Sequence, residues 1–302
     1  MNATAGAVAL ALVSAVAYAA AAVVQERLAA RAGTGGHLRR LLTHGTWWAA
    51  VLLNSFAALL HVAALRYGPL TLVQPLGALT LVAAVPLGAR AAGRRVTGDE
   101  WRGTALTLLG LGALLPVAAS GAAPEGTLGT TAALAVTGSV LVLALPLGLF
   151  GGDRGLGHAA ASGITSGTAS ALTQTLTVSG LAPAWRFLVV GGLVAGLAAA
   201  GLLLSQAAYG GGLGAPLAVL NLANPLASAA IGLTLLGERI HGGAVGVVLA
   251  VLGALAAARG VKPLDVETLV AEDHHQRGVV QRVHRRAALA SVRHRATQRT
   301  PV

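Results

Sequence analysis

The sequence predicts an all-α polytopic membrane protein of about nine transmembrane helices. They are arranged as four, one and four, with the two sets of four inverted relative to each other. Three observations lead there. The chain is 55% hydrophobic and only 10% charged, too apolar for a water-soluble domain and ordinary for a multi-span membrane protein. Its apolar residues fall in runs of about 20, the length that crosses a bilayer. Its lysines and arginines gather in alternate connections between those runs, as orientation by cytoplasmic positive charge requires.

The first span is expected from about Asn2 to Val24. It ends in an alanine-rich patch, but Met1-Asn2-Ala3-Thr4 has no positive n-region, so it reads as a retained helix rather than a cleaved signal. The second runs from about Thr46 to Leu65 and the third from Pro69 to Ala89. The fourth, Gly103 to Ala119, is short and stops at Ser120-Gly121. The fifth covers Leu128 to Phe150, with Pro146 near its end. The sixth, Gly157 to Val178, is polar for a span. The seventh covers Ala184 to Leu204, the eighth Leu213 to Leu236 and the ninth Gly243 to Ala258.

Arg27, Arg31, Arg39 and Arg40 follow the first span. Arg90, Arg94, Arg95 and Arg102 follow the third, Arg154 precedes the sixth and Arg259 follows the ninth. Nine spans put all of these on one side and leave only Arg66, Arg186 and Arg239 on the other. The asymmetry predicts a cell-membrane protein with its N-terminus outside and its C-terminus in the cytoplasm.

An internal repeat matches this count. A shift of roughly 144 positions sets Ala63-Ala64 on Ala207-Ala208, Gly68 on Gly212, Gly88 on Gly232 and Gly93-Arg94-Arg95-Val96 on Gly237-Glu238-Arg239-Ile240. Helices one to four then pair with six to nine, and an odd number of intervening spans inverts the halves. The expected organisation is a transporter domain over 1–259, made of repeat one (1–120), a linker helix (121–152) and repeat two (153–259). Residues 260–302 form a basic tail with Lys262 and seven arginines, expected to be largely disordered. The tail reads either as a solvated, orientation-fixing segment or as a surface that meets anionic lipid headgroups.

The formal charge of +11 sits in connections and tail and is not a nucleic-acid signal. With no cysteine, disulfides and thiolate metal sites are excluded. No carboxylate pair, nucleophile–base arrangement or phosphate loop appears, so neither an enzyme nor a cofactor is expected. Gly210-Gly211-Gly212 follows no strand and reads as a tight connection. His274 and His275 beside Glu272 and Asp273 have no fold to hold them as metal ligands.

Candidate site residues are the polar groups inside spans, each costly in lipid. The stretch from Tyr67 to Thr80 carries Pro69, Gln74 and Pro75 in an otherwise apolar run, either a packing kink or a broken helix lining a cavity. His61 is the ionisable residue deepest in a span, two turns from Asn54 on one helical face. It is either a structural imidazole bonded to a neighbouring helix or a titrating group that couples transport to protons. Asn221 and Asn224 share a face of the eighth helix. Gln174, among the hydroxyl residues of the sixth, falls near the position equivalent to Gln25. Gln25 and Gln206 are expected near helix ends, in contact with interfacial water.

Trp47-Trp48, then Ala64-Leu65-Arg66-Tyr67-Gly68-Pro69, then Leu72-Val73-Gln74-Pro75-Leu76-Gly77-Ala78-Leu79 resembles the NIPA-type magnesium transporters of the drug/metabolite transporter (EamA-like) superfamily. In that family a Trp-Trp pair opens the second helix and an Ala-Pro-Ala-x-Leu-Val-x-Pro-Leu-Gly-Ala-Leu run opens the third. Gln25-Glu26-Arg27 is similar to the family's Gln-Lys-Lys. In the second half the likeness is architectural only. The resemblance implies a membrane carrier of the drug/metabolite transporter fold. The family's second helix carries a glutamate and, three residues on, an asparagine; here those positions are Ala58 and His61. Magnesium favours carboxylate oxygens, so the substituted positions shift the expectation to a neutral or organic solute, metabolite or drug. Its cavity would be lined by Asn54, His61, Gln74, Gln174, Asn221 and Asn224, with magnesium as the alternative cargo. A third reading is a non-transporting membrane scaffold acting through the tail. Expected partners are the small-molecule or ion substrate and membrane lipid, with no nucleic acid; a homodimer is compatible with the sequence.

Overall fold

A computed structural model describes residues 3–32, 43–67, 76–118, 128–150, 155–178, 183–235, 243, 245–249, 251–262 and 264. Among them there is helix and connection but no strand. The helices are α1 (Ala3–Ala32), α2 (Gly45–Tyr67), α3 (Leu76–Ala91), α4 (Gly98–Ala118), α5 (Thr130–Phe150), α6 (Leu156–Val178), α7 (Ala184–Ala208), α8 (Gly214–Leu235) and α9 (Val245–Lys262). A single 3-10 turn, Tyr209–Gly211, joins α7 to α8.

Six of these helices, α1, α2, α5, α7, α8 and α9, are long and apolar enough to cross a membrane. The apolar α3 is shorter, and its expected first turns from Pro69 lie outside the described residues. Neither α4, of 21 residues, nor α6, of 23, is among the six. For α6 the packing gives the reason. It lies against α5, α7 and α8, so protein rather than lipid surrounds it and hydroxyl residues are tolerated. Thr165, Thr168, Thr173 and Thr175 return their hydroxyls to the carbonyls four residues earlier, which satisfies their donors within the helix. By contrast, α2, α5 and α7 carry large exposed apolar chains, Leu52, Leu59, Val142, Leu143, Leu145, Leu149 and Leu188 among them. An apolar surface of that extent suits a lipid solvent, not water.

Contacts at the helix ends fix the relative directions. At one end Arg27 of α1 donates to the Ala91 carbonyl that closes α3. Gly88 of α3 lies under Leu213, Gly155 lies against Ala208, and Gly214 lies against Leu264. That end therefore gathers the finishes of α1, α3, α7 and α9 and the starts of α4, α6 and α8. At the opposite end Arg186 donates to the Leu128 carbonyl at 2.8 Å, joining the starts of α7 and α5. There Ala7 and Ala11 of α1 also meet Ala64 of α2 and Leu76 of α3. The helices thus alternate in direction. Arg27, Arg90, Arg94, Arg95, Arg102, Arg259 and Lys262 fall at the first end, called the cationic end below, and Arg66 and Arg186 at the other.

In each half of the chain one helix lies on the next two: α1 on α2 and α3, and α6 on α7 and α8. Small residues allow the close approaches. Gly103, Thr107 and Gly110 of α4 meet Gly253, Ala257 and Gly260 of α9 so closely that a Cβ at Gly110 or Gly260 would strike backbone. This is the small-residue seam expected where helices cannot rely on hydrophobic exclusion.

Local chemistry sets the start of α4 five residues earlier than expected. Thr97 and Glu100 form a reciprocal cap. The Glu100 amide donates to Thr97 Oγ1 at 3.2 Å, and the Thr97 amide donates to Glu100 Oε2 at 2.9 Å. Arg94 grips the same carboxylate with both guanidinium nitrogens, at 2.9 and 2.6 Å. Burial raises the Glu100 carboxyl, but the hydrogen bonds from Arg94 and Thr97 together with the Arg94 charge outweigh it. The net effect holds Glu100 below the ordinary carboxylate range. Likewise α1 continues to Ala32, about two turns past its expected end.

Candidate functional site

His61 lies six residues before the end of α2, roughly 9 Å along the axis from its last residue. Its ring faces the start of α3. A Cβ built on Gly77 would sit 3.5 Å from His61 Cε1 and 3.9 Å from Nδ1. A side chain there would touch the imidazole at ordinary van der Waals distance, so the starting turn of α3 lies one methyl group away from His61. Thr80 Oγ1 donates to the Gly77 carbonyl at 2.7 Å, so the irregular backbone at Leu79 is partly satisfied by its own side chain. Asn54 lies two turns earlier on α2 and, like His61, is half-buried. Between them Ser14 of α1 donates to the Ala57 carbonyl at 2.7 Å and pins α2 to α1.

A second polar element is the middle of α8. Pro225 has no amide hydrogen, so the Asn221 carbonyl loses its helical donor. The Asn221 side chain donates backwards to the Leu217 carbonyl at 3.0 Å. Asn224 presents its backbone to α6, where Gly163 and Gly167, a Gly-x-x-x-Gly pair, lie directly against it. Ser228 crosses to the Gly167 carbonyl at 3.0 Å. On its other side α6 meets α7, where Ser162 donates to the Gly201 carbonyl at 2.7 Å. The segment of α8 around Asn221–Pro225 therefore combines a freed carbonyl and two half-buried carboxamides on a firmly seated helix.

The structure brings His61 together with the glycine of the Gln74-Pro75-Leu76-Gly77 run, and it sets Asn221 and Asn224 in one turn of α8. It places Asn54 on the His61 helix. Gln74 lies outside the described residues, and of Gln174 only the main-chain position on α6 is described.

Two residues behave differently from expectation. Gln25 and Gln206 are not in interfacial water; each is about 3% exposed. Gln206 Nε2 donates to the Gln25 main-chain carbonyl at 2.9 Å, and Ser205 Oγ lies 3.3 Å from Gln25 Oε1. The physical reason is the extra length of α1. Gln25 is interior to that helix and falls alongside the last turn of α7. The sequence signal was available in outline: a glutamine inside an otherwise apolar helical run.

No family model matches the chain, and no solved structure matches it. Among curated proteins it is similar to an uncharacterised protein of Corynebacterium glutamicum, 37% identical over 99 residues. That likeness covers 31% of this chain and spans about a third of the relative's length, 34%.

Proposed function

We propose that the protein is a secondary carrier of the drug/metabolite transporter type, similar to the NIPA branch, that moves a small neutral or organic solute across the cytoplasmic membrane. The observation that carries this reading is the placement of His61. An ionisable side chain inside a span-length apolar helix is expensive, and here it stands against the glycine at the start of α3, a helix interrupted at Leu79. Such interrupted helices line substrate sites in carriers. The like packing of α1 on α2 and α3 and of α6 on α7 and α8 supports two inverted halves around that site. The gathering of arginines at one end supports an N-terminus outside and a C-terminus in the cytoplasm.

A neutral cargo is favoured over magnesium by where the acids lie. Glu26, the one acidic residue of α1, belongs to the cationic end, while His61 lies toward the other. Among the described residues no three of His, Cys, Asp and Glu come together.

The test is the melting temperature of the purified protein against divalent cations and small organic solutes, with His61→Ala alongside. A ligand that binds only the folded state raises it with concentration. A rise with an organic solute, absent in His61→Ala, is the expected result. A rise with magnesium alone makes the cation the cargo and overturns the neutral-solute reading. No rise with any ligand removes the support for a carrier.

A further inference from the structure

We infer that the cationic end of the bundle is a gate, held shut across the two halves by Gln206 and plugged by Leu213. The inference rests on the carrier reading, for only a protein with two halves and a central site has a gate to hold.

Among the described residues, two kinds of cross-half contact matter at this end. One is the seam between α4 and α9, where glycine and alanine bring backbone onto backbone. Nothing can rotate there to open a path. The other joins α1 and α3 to the turn between α7 and α8. Its apolar part is one cluster of Ala19, Ala22 and Val23 from α1, Leu81, Ala84 and Val85 from α3, and Tyr209, Leu213, Leu217 and Ala218 from the second half. Leu213 enters the space left by Gly88, where a Cβ would come within 2.8 Å of its Cδ2. This is a side chain in a socket, and a side chain can leave.

The polar part is the Gln25–Ser205–Gln206 cluster, and its hydrogen bonding is incomplete. The Ser205 hydroxyl has one proton, and it lies 2.8 Å from the Leu202 carbonyl against 3.3 Å from Gln25 Oε1. The shorter bond takes the proton, so Gln25 Oε1 is left poorly served. Gln206 Oε1 is buried with no partner. One good bond, from Gln206 Nε2 to the Gln25 carbonyl, therefore holds two interior carboxamides, of which the Gln206 oxygen lacks a donor and the Gln25 oxygen has a long one. Thr104 Oγ1 and His158 Nδ1 are also buried without a partner, but of these three atoms the Gln206 oxygen is the one on a side chain that bridges the two halves. If this contact opens, water can supply the donor that it lacks. The location fits a hinge: α7 ends here and the chain passes through the 3-10 turn to Gly212 at φ 100°, where a side chain would be strained.

The absence of cysteine from the chain makes the test direct. Single reporters Ala22→Cys and Ala218→Cys sit in the closed cluster, and Ala171→Cys serves as a buried control in the separate cluster formed by α5 to α8. Full-length protein in vesicles is exposed, from the cationic face, to a membrane-impermeant maleimide. Adding Gln206→Glu, which removes the donor but keeps buried oxygens without partners, should speed labelling of Ala22→Cys and Ala218→Cys on the order of fivefold or more, the equilibrium weight of one ordinary hydrogen bond being the lower bound. Ala171→Cys should not change. Unchanged reporter labelling, or an equal rise at Ala171→Cys, overturns the gate. If labelling depends on Gln206 but no solute moves, the carrier reading fails, and what remains is an opening of this end that gates no transport. If solute moves and labelling ignores Gln206, the gate fails and the carrier stands.

Discussion

Replacing Gly163 by alanine tests how firmly α6 seats α8. A Cβ at this position would lie 2.6 Å from Ala223 Cβ, 2.7 Å from the Leu220 carbonyl oxygen and 3.0 Å from the Asn224 nitrogen. Two of those three atoms are backbone, so no rotamer change relieves the clash, and the helices must part by about 1 Å. Overpacking of this kind costs about 1–3 kcal/mol, and backbone contacts place it toward the upper end. Alanine returns about 1 kcal/mol through its better helix propensity. The balance is a loss of about 2 kcal/mol, so packing outweighs propensity. Gly192→Ala is the matched control. It lies in α7 with nothing within 4 Å of its would-be Cβ, so only the propensity gain remains and stability should rise by up to about 1 kcal/mol. The assay is thermal unfolding in detergent, followed by tryptophan fluorescence, with the two variants measured against the parent. Gly163→Ala should melt several degrees lower and Gly192→Ala no lower. Equal melting temperatures for the two variants would refute the tight α6–α8 contact.

Two further outcomes follow from the local chemistry. The Glu100 carboxyl is held below its ordinary value, so its contribution to stability is fully present above the unfolded carboxylate pKa of about 4.3 and is lost as pH falls through the lower folded value. Acid titration of the melting temperature should show this loss in the parent and a flatter profile in Glu100→Gln; identical profiles would contradict it. Pro225→Ala supplies the amide hydrogen missing beneath the Asn221 carbonyl. The melting temperature should not fall, while on the proposed carrier reading solute uptake into proteoliposomes should slow as α8 loses its freed carbonyl. Unaltered uptake would remove α8 from the mechanism.

Much of the fold was legible in the chain order. Apolar run lengths located the helices, because a bilayer-spanning element must satisfy its own backbone and so cannot be shorter than the hydrocarbon it crosses. Boundaries were less legible where polar residues are protected by packing. Gln25-Glu26-Arg27 looked like the exit of a helix, yet the chain stays helical to Ala32 because α3 and α7 supply partners for that turn. The hydroxyl-rich α6 was read as a span on its length alone. Its burial among three neighbours is what makes those hydroxyls affordable. Of the candidate site, His61 was visible as an ionisable residue in an apolar run. Its contact with Gly77 was not, since facing across two helices depends on their rotation.

The sequence by itself determined the class of the protein: an apolar helical chain, with its arginines in alternate connections and its tryptophans in the opening turns of helices. Those properties follow from composition and spacing, which need no knowledge of neighbours. Only the tertiary structure decided which small residues meet. Gly110 against Gly253, Gly163 and Gly167 against Asn224, and Gln206 against Gln25 each join positions far apart in sequence. Glycine and glutamine look alike in the chain whether they face lipid, water or a helix. The rotation of each helix about its axis chooses between them, and that rotation is set by all the packing at once.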